Sequence, residues 1–231
     1  MHAEAASRAD KNARVASLRQ RSVAAMNVER DQRVLDVGSG TGTGTFALAE
    51  IVGASGIVRG VDYDISMVIE AQRRAAEHGV DAWVSFHQAN AAALPWPDGY
   101  FDASRSDCVL QHMLDPIRGF GELVRVTRSG GRVVVVDGDW ATLNRNADDA
   151  EIEGQRAYFQ ETFRRATPVS GQCLFQLFER QGMQDVAIDV QPVFDANADV
   201  NGCWLQSRTQ AAEHDGSFAS ANVVMICGRK P

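Results

Sequence analysis

Three glycines at alternate positions, Gly38, Gly40 and Gly42, stand directly behind the apolar run Arg33-Val34-Leu35-Asp36-Val37. That order reads as a buried strand, a turn whose backbone can come close to a ligand, and the start of a helix. A carboxylate, Asp62, closes the next apolar run, Ile57 to Val61. It lies about twenty residues beyond the glycines, where a strand-end acid holds a ribose diol. Together these residues imply a nucleoside-bearing ligand over the first two strands. Asn90 ends a third strand region, Ser85 to Ala91, with an amide suited to the exocyclic amine of an adenine. It would be equally ordinary as a turn residue.

Other uses of such a loop are open to test on the same residues. A phosphate-binding P-loop needs Lys-Ser/Thr after its glycines, and Thr43-Gly44-Thr45 contains no lysine. A dinucleotide site needs G-x-G-x-x-G, whereas the register here is G-x-G-x-G, which leaves NAD or FAD as a second choice. A nucleoside with a short charged tail and no phosphates suits the loop better. A glycine turn serving only the backbone is the plain alternative, and a solvated strand-end acid is the plain alternative for Asp62.

The elements that must position these groups alternate along the chain. Apolar patterning predicts strands at 33–37, 57–61, 83–87, 101–106 and 131–137, and helices at 43–52, 65–78 and 116–127, after an amphipathic leading helix at 8–27. The strands are short and nearly continuous in apolar character, above all Val133-Val134-Val135-Val136. Such strands belong to a parallel sheet covered on both faces, so the rhythm predicts a doubly wound α/β fold with right-handed crossovers. A polar segment at 140–170 interrupts it, followed by a helix at 172–181 and strands at 184–190 and 222–228. The stretch 192–218 reads as a loop or short helix over one sheet edge.

Composition narrows the function classes. The chain has 231 residues, a formal charge of −7, 45% hydrophobic and 23% charged residues, ordinary values for one α/β domain over 1–231. An acidic chain without a basic run argues against a nucleic-acid surface. No apolar segment reaches the length of a membrane span, and the N-terminus lacks an apolar signal core, so a cytoplasmic protein is expected. The four cysteines are scattered without a CxxC pair and the five histidines lack HxH or HxxxH spacing. Small buried cysteines and no metal site are expected. A homodimer stays open.

The ordered motifs resemble a known family. Val34-Leu35-Asp36-Val37-Gly38-Ser39-Gly40-Thr41-Gly42 resembles motif I of the class I S-adenosylmethionine-dependent methyltransferases, and Gly60-Val61-Asp62 with Met67 resembles motif II. Ala91 to Asp102 is similar to the third and fourth motifs. Val109-Leu110-Gln111-His112-Met113-Leu114-Asp115-Pro116 resembles the post-strand segment of the small-molecule branch related to ubiquinone-biosynthesis enzymes, and Glu122 to Arg132 the helix leading into strand five. The likeness covers roughly residues 30–140. Two residues depart from the pattern: Asn90 stands where the family usually has Asp, and Ser129 where it usually has Pro. The segment 192–218 is also short beside relatives that place a helical hairpin there.

The resemblance implies a Rossmann-like seven-stranded sheet, mostly parallel with an antiparallel last strand and helices on both faces. It also implies S-adenosyl-L-methionine as cofactor and methylation of a small molecule, in specialised metabolism. By the resemblance, Asp36 is a cofactor-binding residue, and Gly38, Ser39, Gly40 and Thr43 frame the methionine part. Asp62 takes the ribose hydroxyls, Tyr63 and Met67 flank the adenine, Asn90 and Ala91 cover its edge, and Asp107 faces the sulfonium and the amino-acid tail.

Substrate groups follow from the rule that ligands sit beyond the carboxyl ends of the strands. That points to Gln111 and His112 after strand four and to Asp137, Asp139 and Trp140 after strand five. His112 is the candidate general base, with capping or packing as its alternative. Trp140 and Tyr158 are candidates for an aromatic pocket, or for core. The leading helix and the insert 140–170 are expected to form a lid. Two other readings stand beside methyl transfer: a methyltransferase-fold protein that uses its cofactor structurally, as a cyclase or binder, and an NAD(P)-dependent oxidoreductase.

Overall fold

The computed structural model describes residues 13–145, 171–195 and 219–231. In chain order they form α1 (Ala13–Ala25), β1 (Arg33–Val37), α2 (Thr43–Val52), β2 (Ile57–Asp62), α3 (Ile65–Glu77), β3 (Val84–Gln88), β4 (Phe101–Asp107), a 3-10 turn (Leu110–His112), α4 (Pro116–Val126), β5 (Thr127–Arg145), α5 (Gly171–Arg180), β6 (Gln184–Asp195) and β7 (Ala219–Arg229). The seven strands make one sheet in the order β3-β2-β1-β4-β5-β7-β6. β1 to β5 pair in parallel, and β7 runs antiparallel to both β5 and β6. The Rossmann-like seven-stranded fold implied by the sequence is the fold observed.

The sheet is buried on both faces because its central strands are apolar on both. One face packs Val34, Val58, Val84, Val134 and Val136 against Leu18 and Val23 of α1, Met26 just after it, Leu48 and Val52 of α2, and Val68 of α3. The other packs Leu35, Val37, Val61, Phe101, Val133 and Val135 against Phe120 and Leu123 of α4 and Phe178 of α5. Side-chain caps set the helix starts: Asp64 accepts the Ser66 N–H ahead of α3, and Asp115 accepts the Arg118 N–H ahead of α4, with Pro116 in the first turn.

Strand and helix positions follow the sequence reading closely through α4; β5 then opens at Thr127, earlier than the expected 131, and the later elements diverge further. β5 was expected to end at 137 and instead runs to Arg145, so residues 140–145 of the expected insert are strand. β6 likewise continues to Asp195, so 192–195 is strand rather than loop. The reason is that β5 outlasts one partner and keeps the other. β4 stops at the pair Asp107–Val136, and beyond it β5 stays paired with β7 through Asp137–Val224, Gly138–Val223 and Asp139–Asn222. Antiparallel pairs near a sheet edge accept polar residues that a buried parallel strand rejects. Of the leading helix expected at 8–27, the described part is Ala13–Ala25. Residues 146–170 of the expected insert, with Tyr158, and 196–218 lie outside the described residues.

One ion pair sits wholly inside this packing. Arg105 of β4 is 1% exposed and Asp36 of β1 is 0% exposed. Arg105 Nε and Nη2 reach Asp36 Oδ1 at 3.0 and 2.9 Å, and its Nη1 donates to Ser22 Oγ of α1 at 2.9 Å. Thr45 Oγ1 of α2 donates to the other Asp36 oxygen at 2.7 Å. Space for the guanidinium comes from Gly44: a Cβ there would lie 2.1 Å from Arg105 Nη2.

This arrangement separates two glycines that both sit inside helices. Gly44→Ala gains the usual helix advantage of roughly 0.5–1 kcal/mol but collides with a guanidinium that its ion pair holds in place. A net loss of about 1–3 kcal/mol is expected, as for other overpacked sites. Gly121→Ala on α4, where an added Cβ meets nothing within 4 Å, is expected to stabilise by about 0.5–1 kcal/mol. Chemical denaturation of the two variants checks the opposite signs.

Candidate functional site

The parallel strands β1 and β4 lie side by side at the point where the strand order reverses, and their carboxyl ends open a crevice. The glycine loop fills the β1 side of it. Gly38 and Ser39 both donate their N–H to Val61 O of β2, at 2.8 and 3.0 Å, and Gly42 N–H closes the turn onto Ser39 O at 2.9 Å. Gly38, Gly40 and Gly42 have φ of +76°, +52° and +92°, a region that glycine enters cheaply. At Gly38 sterics add a second demand, since a Cβ would stand 2.3 Å from the Val109 side chain and 2.7 Å from Asp107 O. At Gly40 a Cβ would meet nothing within 4 Å: its backbone faces the open crevice.

Asp62 ties the loop to the end of β2. One carboxylate oxygen accepts the Gly40 N–H at 2.9 Å and the other the Asp64 N–H at 2.9 Å. Burial pushes its pKa up, while those two N–H groups pull it down. Each oxygen keeps a further lone pair, so hydroxyl donors can still be received there. Ser39 Oγ is buried with no hydrogen-bond partner among the described residues. Tyr63 beside it is 78% exposed, and Met67 is half-buried in the first turn of α3. Asn90 Oδ1 already accepts the Ala92 N–H at 2.9 Å, which makes it a turn residue with its amide NH2 still presented. Ala91 next to it is half-buried.

Several groups that sequence reasoning did not single out hold this loop. Arg74 of α3 donates to Thr41 O at 2.9 Å and Thr41 Oγ1 at 2.7 Å, approaches Thr43 Oγ1 at 3.4 Å, and lies over the Phe46 ring. Asp36 lies beneath the loop, both oxygens engaged by Arg105 and Thr45, so it supports the loop from below. The available signal was a charged residue in the middle of a buried strand, Arg105, which requires a buried counter-charge nearby.

The far side of the crevice is built by the ends of β4 and β5. Asp107 is the last residue of β4 rather than the residue after it. Its Oδ2 lies 3.6 Å from Arg105 and 3.9 Å from Arg19 of α1. Cys108 then turns the chain at φ +58°, with its N–H on Val136 O at 2.8 Å. Gln111 is buried and makes the bridge to β5: its Oε1 accepts the Gly138 N–H at 2.7 Å, and its Nε2 meets His112 Nε2 at 3.0 Å. His112 stands at the rim, and desolvation holds its imidazole below the ordinary pKa. Asp137 is wholly buried, and that burial, with Asp107 as a like charge, holds its carboxyl well above the ordinary range. Its Oδ2 has no partner among the described residues, and neither does Asp139 Oδ1. Asp137, Asp139 and Trp140 therefore belong to β5 itself; of Trp140 only the backbone is described. Gln111, His112 and Asp137 come together, Asp139 lies two residues further along β5 beside Gly171 of α5, and Tyr158 lies outside the described residues.

Among the described residues no group of three His, Cys, Asp or Glu is placed to hold a metal ion. No described helix is long and apolar enough to cross a membrane.

The sequence profile of a family described as "Methyltransferase domain" matches residues 28–182. An uncharacterised 37.1 kDa protein of transposon Tn4556 from Streptomyces fradiae is 37% identical over 134 residues, 58% of this chain and 37% of that protein. A ubiquinone/menaquinone biosynthesis C-methyltransferase of Proteus mirabilis is 36% identical over 116 residues, 50% of this chain and 46% of that enzyme. The matches thus span less than half the length of these curated relatives. Among solved structures, the YcgJ protein of Bacillus subtilis shares the fold with a TM-score of 0.69 at 21% identity, covering 93% of this chain and 98% of that one.

Asp137 carries a prediction whose sign follows from its raised pKa. Relative to an unfolded carboxyl near 3.8, the folded state keeps its proton to higher pH, so stability from this group is full below 3.8 and falls as pH rises until the folded carboxyl ionises. Asp137→Asn does not titrate. Its stability relative to the unsubstituted protein should therefore climb from pH 3.8 upward, by at most about 1.4 kcal/mol per pH unit. Urea denaturation across pH checks this; a difference that stays flat above pH 3.8 would mean that Asp137 is ionised in the fold.

Proposed function

Because this chain belongs to the methyltransferase-domain family, whose profile spans residues 28–182, we propose that it is an S-adenosylmethionine-dependent methyltransferase acting on a small molecule. The observation that carries the reading is the coupling of Asp62 to the Gly40 backbone at 2.9 Å, beside a glycine whose Cβ direction is open. A half-buried carboxylate beside an unobstructed backbone supports reading this corner as the ribose-diol site. The buried, partnerless Ser39 Oγ fits the same ligand. The cofactor supplies an activated methyl group on its sulfonium sulfur.

The chain's own residues bind and orient. Gly38, Ser39, Gly40 and Thr43 frame the methionine part, with Arg74 fixing the turn and Asp36 supporting it through Arg105. Asp62 accepts the ribose hydroxyls. Tyr63 and Met67 flank the adenine, and Asn90 and Ala91 meet its edge; the presented Asn90 NH2 suits the ring nitrogen, and a second lone pair on its Oδ1 suits the amine. Asp107, steadied by Arg105 and Arg19, receives the ammonium of the amino-acid tail. Gln111, His112, Asp139 and Trp140 form the acceptor side in this reading, with α1 covering it; Tyr158 lies outside the described residues.

The C-methyltransferase relative acts in quinone biosynthesis by its name, which supports a small-molecule acceptor, methylated on oxygen, nitrogen or carbon, as a step in specialised metabolism. The charge of −7 supports such an acceptor over nucleic acid, and the reading places the work in the cytoplasm, within one domain, with a homodimer open.

Isothermal titration with S-adenosylhomocysteine tests the cofactor assignment. Binding is expected for the unsubstituted chain, and Asp62→Ala should lose about 1.5–3 kcal/mol, the worth of hydrogen bonds to a charged group, or roughly 10- to 150-fold in Kd. Tighter binding of NADH than of S-adenosylhomocysteine would instead mark an oxidoreductase. Mass spectrometry of products then separates methyl transfer, with the gain of one methyl group, from a cyclase or binder that leaves acceptor mass unchanged.

A further inference from the structure

His112 has two ring nitrogens, and the surrounding hydrogen bonds decide which carries the proton. Beyond Val136, β5 has lost its parallel neighbour, and the Gly138 N–H points at an edge where β4 has ended. Gln111 takes that position: its Oε1 accepts the Gly138 N–H at 2.7 Å, buried among backbone. That bond orients the amide, because only the oxygen can receive a backbone N–H. The other end of the amide is therefore the NH2 group, and it stands 3.0 Å from His112 Nε2. An NH2 is a donor only, so Nε2 must offer its lone pair and the proton must sit on Nδ1.

Resting on the methyltransferase reading, we infer that His112 meets the acceptor molecule as a hydrogen-bond donor through Nδ1–H, not as a base, and that this molecule presents a carbonyl, phenolate or enolate oxygen there. The lone pair that a base would use is occupied by Gln111, and Nδ1 already bears its proton. Desolvation of the imidazole acts in the same direction by holding it neutral. Gln111 is then a positioning residue: it acts on the substrate only through the tautomer it imposes. The neighbouring acid groups fit the same division. Asp107 is engaged by Arg105 and Arg19, and the buried Asp137 carboxyl is held toward its protonated form. In the transfer itself, the acceptor's electron pair forms the bond to the methyl carbon while the carbon–sulfur pair leaves with sulfur. No proton passes to His112.

The test is a long-range nitrogen–proton NMR spectrum of the full chain labelled with 15N-histidine, with the His112 signals identified by their loss in His112→Asn. At neutral pH the expected pattern is a protonated Nδ1 and a bare Nε2. Gln111→Glu keeps an oxygen for the Gly138 N–H but turns the donor facing His112 into an acceptor, so the pattern should invert to Nε2–H. An Nε2–H or imidazolium pattern in the unsubstituted protein overturns the inference, and so does a pattern that Gln111→Glu leaves unchanged. If that variant does not fold, the unsubstituted spectrum decides alone. Titration of the same sample with S-adenosylhomocysteine keeps the two readings apart: absence of binding sinks the cofactor assignment and leaves the tautomer measurement standing.

Discussion

A guanidinium sealed between two strands has to be met by opposite charge where it lies, because removing a charge from water without a partner costs several kcal/mol. Arg105 meets that demand with Asp36, and the consequences run outward through the site. The pair pins β1 to β4 at the place where strand order reverses, beneath the loop carrying Gly38 to Gly42. It requires glycine at position 44, which gives α2 its unusual small residue in the first turn. Through Ser22 it docks α1 on the sheet, and through Asp107 it reaches the crevice itself. The glycine loop, the leading helix and the end of β4 are thus positioned by one buried network.

The part of the fold legible in the sequence is the part where each residue's local preference and its final environment agree. The glycine register, the apolar strands and the strand-end acid Asp62 all act over a few residues, and all are found where expected. The long run of β5 was hidden because Asp137-Gly138-Asp139-Trp140 looks like the end of a buried parallel strand. Its pairing with β7 depends on residues some eighty positions away, which no local pattern carries. Arg105 was visible as a charge within a strand, but only the adjacency of β1 and β4 identifies Asp36 as its partner. The tautomer-setting contact of Gln111 depends on where β4 stops relative to β5, a register that appears only in three dimensions.

The two sides of the crevice differ in how they are held. On the β1 and β2 side, backbone N–H groups, the Asp62 carboxylate and the Arg74 guanidinium fix a loop with few degrees of freedom. On the β4 and β5 side, the groups are side chains oriented by other side chains, with Gln111 as the hinge of the arrangement. A rigid backbone cradle suits a ligand that never changes, whereas a side-chain array can be altered one residue at a time without disturbing the sheet. In the proposed function, binding of a common cofactor and choice of acceptor fall to these two separable structures.

The contact of α1 with β6 has a consequence for how the molecule comes into being. Arg21 pairs with Asp189 Oδ2 at 2.7 Å and also donates to Gln191. These residues are separated by most of the chain, so the first described helix to leave the ribosome completes its packing against one of the last strands to follow. Sequence separation of this size slows the docking step, and vectorial synthesis postpones it until the C-terminal third has emerged. This helix therefore completes its packing late, although it is among the first pieces to be made.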